Sequence, residues 1–97
     1  MFLELTGQNV SVTKGIRDQI NRKISKLDHL SHMPTKLHLV LSVDNRGHNH
    51  TIHALMHLPQ NEIFAAATSD DMYKTVDLVL IKLKKQLAKA KDKMVKH

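Results

Sequence analysis

Between Lys36 and Ser69 the chain alternates apolar and polar residues in three successive runs, "KLHLVLSV", "TIHALMHL" and "IFAAATS". Period-two alternation puts Leu37, Leu39, Leu41 and Val43 on one face of the first run. It does the same for Ile52, Ala54, Met56 and Leu58 in the second, and for Ile63, Ala65 and Ala67 in the third. The intervening "DNRG" and "PQNE" have turn composition. Three half-buried strands joined by short turns make an antiparallel meander, and its apolar face needs a cover.

The rest of the chain supplies that cover. "FLELTGQ" alternates as well and reads as a fourth strand at the N-terminus. Thr13 can accept a backbone N–H and cap a helix. Ile16, Ile20, Ile24 and Leu27 then recur at helical spacing over about 16 residues, with Gly15 costing on the order of 1 kcal/mol against alanine. Pro34 closes the loop that follows. Ser69, Asp70 or Asp71 caps a long final helix, where carboxylates suit the positive end. Its apolar stripe is Met72, Val76, Val79 or Leu80, Leu83, Leu87, Ala90 and Met94. The order β-α-β-β-β-α predicts an α+β fold of two layers: a four-stranded mixed sheet with both helices packed on one face and a parallel first crossover. The 97 residues make one domain, with fraying expected over residues 93–97.

Charge is unevenly placed. Residues 1–77 hold eight Lys or Arg and eight Asp or Glu, whereas residues 78–97 hold seven Lys and only Asp92, so the last twenty residues carry the whole net charge of +6. With Leu83 at the centre of the buried stripe, Lys82, Lys85, Lys89, Lys93 and Lys96 fall between roughly 80° and 160° to one side. Lys84 and Lys91 fall on the opposite flank. Lysines near a helix C-terminus favour the macrodipole and solubilise a surface, but five on one edge repel one another. Such a stripe fits a polyanion, with a reach of about 16 Å from Lys82 to Lys93. An acidic membrane surface fits the charge too, although no segment has the length of a membrane span. On the first helix Arg22, Lys23 and Lys26 lie to one side of the stripe; if the helices run parallel, the two basic edges face one groove. Leu78 and Ile81 project beside the lysines; single exposed apolar residues are common and carry no role by default, and packing on a sugar or base is the minority alternative.

Other chemistry is sparse. There is no cysteine, which excludes disulfides and thiolate sites. The N-terminus has no signal-peptide pattern, so a cytoplasmic protein is expected. Among eight histidines, His38, His53 and His57 can share one sheet face and offer adventitious metal affinity, but no physiological metal site and no cofactor are expected. Val40, Leu55 and Phe64 make that outer face less polar than a bare solvent face, suiting it to weak interaction. Glycine-rich phosphate loops and hydrolase motifs are absent. The adjacent carboxylates of "SDDMY" point about 100° apart on a helix and read as caps, so no enzyme is expected.

Several stretches together resemble a known family. They are "LTGQNV", "GIRDQINRKISKLDHL", "MHLP" and above all "SDDMYKTVD" leading into "KLKKQLAKAKDK". The chain resembles, over essentially its whole length, the short ribosome hibernation promoting factors, a bacterial family related to the ribosome-associated inhibitor protein. The resemblance implies a fold similar to double-stranded-RNA-binding domains. It implies binding to the small ribosomal subunit and its rRNA, in the channel used by messenger RNA and transfer-RNA anticodons, with translation stopped in stationary phase. By position the implied RNA contacts are Arg22, Lys23, Lys26, Lys82, Lys85, Lys89 and Lys93. Lys84 and Lys91 carry over less directly. The end at His97 favours a short factor, monomeric when free, that works beside a ribosome modulation factor to form ribosome dimers. The alternatives are the inhibitor paralogue, which silences single ribosomes without dimerisation, and an adaptor that binds protein through the outer sheet face. The histidine-rich "HNHTIH" departs from the family pattern.

Overall fold

In a computed structural model, the chain forms β1 (Phe2–Gln8), α1 (Lys14–Leu30), β2 (Lys36–Val43), β3 (His50–His57), β4 (Glu62–Ser69) and α2 (Met72–Val95). The structure describes the backbone of residues 1–95 and the side chains of residues 1–29 and 31–92. One sheet has the order β1-β2-β3-β4, parallel between β1 and β2 and antiparallel elsewhere. Both helices cover one face: α2 lies over β3 and β4, and α1 lies alongside α2. The β-α-β-β-β-α order and the mixed four-stranded sheet agree with the sequence pattern.

The core is aliphatic, as three aromatic residues in the whole chain require. Ile20, Leu37, Leu39, Ile52, Met56, Val76, Val79, Leu83 and Leu87 have no exposed surface. Each such side chain contributes about 1.5–3 kcal/mol on leaving water, so the two helical stripes and the inner sheet face hold one another in place. Thr13 caps α1, its hydroxyl accepting from Ile16 N at 3.3 Å. The β2–β3 turn is held by Asp44, whose carboxylate accepts from His48 N at 2.8 Å, Asn49 N at 3.2 Å and Asn49 Nδ2 at 2.9 Å. Gly47 sits there at φ 71°, a left-handed conformation that glycine adopts without a Cβ penalty.

The structure differs from expectation at one strand end and in the burial of two residues. β3 ends at His57, so Leu58 lies beyond it, buried, with its N–H bonded to Asn61 O at 2.8 Å across the turn. Val43 and Ala65 are only partly buried, because they pack at the margin of the core. α2 runs to Val95. The Met94 side chain, and the fraying expected at Lys96 and His97, lie outside the described residues.

Candidate nucleic-acid interface

The segment "SDDMYKTVD" sets where α2 begins and how it meets α1. Of the three possible caps, Asp71 is the one used: its carboxylate accepts from Tyr73 N at 2.9 Å, and its carbonyl takes the first helical bond from Thr75 N. Ser69 Oγ lies 2.6 Å from the fully buried Thr75 hydroxyl, which donates towards His50 O (2.9 Å) and Asp71 O (3.0 Å). The helix start is thereby tied to β3. Gln19 of α1 is buried and donates from Nε2 both to Tyr73 O at 3.1 Å and to Asp77 Oδ1 at 3.0 Å. Asp77 also pairs with Lys23 Nζ at 3.3 Å. The Tyr73 hydroxyl lies over Gly15, where a Cβ would collide with it. So the glycine that weakens α1 locally makes room for α2.

These contacts show that the helices run in the same direction. Gln19 meets Tyr73 and Asp77, and one turn on, Lys23, Lys26 and Leu27 face Asp77, Leu80, Ile81 and Lys84 across a groove of about 310 Å³. The groove has an apolar floor and three lysines on its walls. The sequence assigned α1's basic edge and the five-lysine edge of α2 to one groove if the helices ran parallel. They do run parallel, yet the lysine that faces α1 is Lys84, from the opposite flank.

Of the five-lysine edge, Lys82 and Lys89 instead turn towards β4. Lys82 Nζ donates to Ala66 O at 2.6 Å, and Gln86 Nε2 donates to Phe64 O at 2.6 Å, so both lie along the sheet's edge strand. Lys89 and Gln86 line a shallow cleft of about 360 Å³ with Asn61, Glu62 and Ile63. Lys85 is exposed between the two flanks, on the same outward face as the exposed Ile81 and Leu78. Lys93 lies on α2, with its side chain outside the described residues. Arg22 is exposed near Tyr73, Gly15, Asp18 and Asn21. The outward surface of the helical layer is thus basic from the β4 edge, over α2, to α1. Lys23 alone among these lysines has a described carboxylate partner, Asp77.

The outer sheet face is organised in rows. Glu4, His38, Leu55 and Phe64 stand side by side across the four strands, as do Phe2, Lys36, His57 and Glu62. Lys36 Nζ lies 3.0 Å from Glu4 Oε1, and this ammonium, through its hydrogen bond and its charge, holds the Glu4 carboxyl below the usual carboxylate range. His38 Nε2 lies 3.0 Å from Thr6 Oγ1 and 3.7 Å from Glu4 Oε2, and His57 Nδ1 lies 3.0 Å from Glu62 Oε2. His53 stands between Val40 and Ala66. The three histidines therefore have separate surroundings. Among the described residues no three His, Cys, Asp or Glu side chains are grouped to hold a metal ion. Phe2 and Phe64 are exposed, at 64% and 67%.

The sequence and the fold are similar to those of known proteins. The family model for the sigma 54 modulation protein / S30EA ribosomal protein family matches residues 3–95. The chain belongs to this family. It is 36% identical over 97 residues to the ribosome hibernation promoting factor of Escherichia coli (strain K12), covering 100% of both chains. Its structure is similar to that of a ribosomal subunit interface protein from Coxiella burnetii, with TM-score 0.88, 33% identity and coverage of 95% of this chain and 99% of that one. The N-terminal domain of Thermus thermophilus Protein Y shares the fold at TM-score 0.81 and 23% identity, over 92% of this chain and 98% of that one. The resemblance read from "LTGQNV" and "SDDMYKTVD" is borne out at the level of the family. Among the described residues no helix is long and apolar enough to cross a membrane.

Proposed function

We propose that this family member is a ribosome hibernation factor. It acts as a single cytoplasmic domain that occupies the messenger-RNA and transfer-RNA channel of the small ribosomal subunit and stops translation in stationary phase. The observation that carries this reading is the basic outward surface of the helical layer, to which Lys26, Lys84, Lys85 and Lys89 contribute, in a chain whose residues 78–97 carry a net +6 in sequence. The hydrogen bonds of Gln19 keep its two helices in fixed register. Lys85, Lys89 and Lys93 of α2, with Lys82 at the β4 edge and Arg22, Lys23 and Lys26 of α1, are the proposed rRNA contacts, and Lys84 joins them. The mechanism is occupancy: a preformed domain fills the channel, and affinity comes largely from phosphate contacts that release counterions. No catalytic step and no cofactor enter it. The names of the full-length relatives support the reading.

The finer proposal is that the protein promotes ribosome dimers together with a ribosome modulation factor. The test is gradient sedimentation of a stationary-phase extract. Co-migration with ribosome dimers supports it; co-migration only with single ribosomes points to silencing without dimerisation. Absence from both contradicts the ribosomal reading. The exposed Phe64 beside Leu55 favours a second reading, a protein partner on the outer sheet face. Loss of a nuclease-resistant partner on Phe64→Glu would support that reading.

A further inference from the structure

The groove between α1 and α2 is built differently from a plain phosphate-binding stripe. Leu27 and Leu80 form a floor that is almost wholly buried, while Ile81 beside them stays 52% exposed. Lys23, Lys26 and Lys84 stand around this apolar strip, and Asp77 closes one end, fixed by Gln19 at 3.0 Å and Lys23 at 3.3 Å. Seven residues separate Asp77 from Lys84, about 10 Å along α2. The groove therefore has a partly neutralised end and a cationic end. Its volume, about 310 Å³, is at the small end of ligand-binding cavities.

We infer that this groove takes one unpaired nucleotide of an RNA strand, its base against Ile81 and its phosphates at Lys26 and Lys84. The inference rests on the proposed RNA-binding role of the helical face and adds what that face selects. Paired bases are stacked inside a duplex and present only phosphate and sugar to such a surface, whereas unstacked bases in loops and single strands are free to pack on protein side chains. A duplex needs the lysines and has no use for an exposed isoleucine on an apolar floor. An unpaired nucleotide uses both, and the carboxylate of Asp77 disfavours a phosphate at its own end, which sets the direction of the nucleotide.

The experiment measures binding of a short single-stranded RNA carrying one central 2-aminopurine, of the same strand in a duplex, and of that strand in competition with free AMP. The proteins are wild type, Ile81→Ser, Lys84→Gln and Lys36→Gln. The expected result is tighter binding of the single strand than of the duplex, with a change in 2-aminopurine fluorescence. Ile81→Ser, which alters no charge, should weaken single-strand binding about fivefold without changing the salt slope. Lys84→Gln should weaken binding and reduce the log–log salt slope by about 0.7. Lys36→Gln removes the same charge from the far sheet face and should stay within about twofold. Equal affinity for duplex and single strand, with Ile81→Ser indistinguishable from wild type, would overturn the inference. Displacement by AMP at equal nucleotide concentration would overturn the assignment to an RNA strand. Co-sedimentation of wild type with ribosomes is read separately: if it persists while the single-strand arm fails, only the groove inference falls.

Discussion

The ammonium of Lys82 donates a 2.6 Å hydrogen bond to the carbonyl oxygen of Ala66, and so fastens α2 to the edge strand β4. Gln86, one turn on, does the same at Phe64 O. A lysine has three donors, so Lys82 keeps two for an anion while one covers backbone that would otherwise be open to another strand. Exposed edges invite pairing with other chains, and here two side chains of α2 guard the edge. The double variant Lys82→Ala, Gln86→Ala should lower the unfolding free energy by roughly 1–2 kcal/mol in urea. It should also associate more at high concentration by light scattering. A midpoint and scattering unchanged from wild type would show that these bonds do not matter.

Gly15 and Tyr73 give a second prediction. Glycine to alanine in a helix normally gains up to about 1 kcal/mol. Here the new Cβ would meet the Tyr73 hydroxyl. Gly15→Ala should therefore gain little or lose stability with tyrosine present, and should recover the ordinary gain in a Tyr73→Phe background. Urea titrations of the four proteins in this cycle measure the coupling. Additive effects would mean that the ring moves aside at no cost.

Much of this arrangement was legible in the sequence, and the reasons are local. Alternation fixed which faces of β2 and β3 are buried, because a one-residue slip would expose Leu37, Leu39 and Leu41 together. Thr13 and the 16-20-24-27 spacing located α1. The cap of α2 stayed open among Ser69, Asp70 and Asp71, since each can accept a backbone N–H, and only the contacts of Asp71 with Tyr73 decide it. Lys82 and Lys89 do share one flank of α2, while Lys85 turns outwards beside them. Which neighbour each flank meets depends on tertiary placement. So the role of Lys82 at β4 and of Lys84 in the α1–α2 groove had no local signal. Gln19 had none either, although a polar residue one position before the buried Ile20 is a place to look for a helix-to-helix bond.

The Glu4 carboxyl provides a pH prediction. Lys36 depresses its pKa below the ordinary carboxylate value, so the folded state binds this proton more weakly than the unfolded chain does. The stabilisation is fully present above the unfolded carboxylate pKa of about 4.3 and is lost as pH falls through the lower folded value. The stability difference between wild type and Glu4→Gln should be constant above about pH 5 and shrink as the solution is acidified below that. Thermal unfolding at a series of pH values checks this. A difference that grows on acidification would contradict the pairing of Glu4 with Lys36.

In the proposed mechanism, the basic face of the helices holds the protein on the small ribosomal subunit by electrostatic attraction. The most direct test of this mechanism is the affinity of the full chain for isolated small subunits as salt rises from about 50 to 200 mM. With about five to seven phosphate contacts, log affinity should fall against log salt with a slope of roughly −3 to −6. Lys85→Ala with Lys89→Ala should flatten that slope by about 1.4–1.8 while leaving the unfolding midpoint unchanged. An affinity that does not vary with salt, or a double variant that binds with the wild-type slope, would rule this mechanism out.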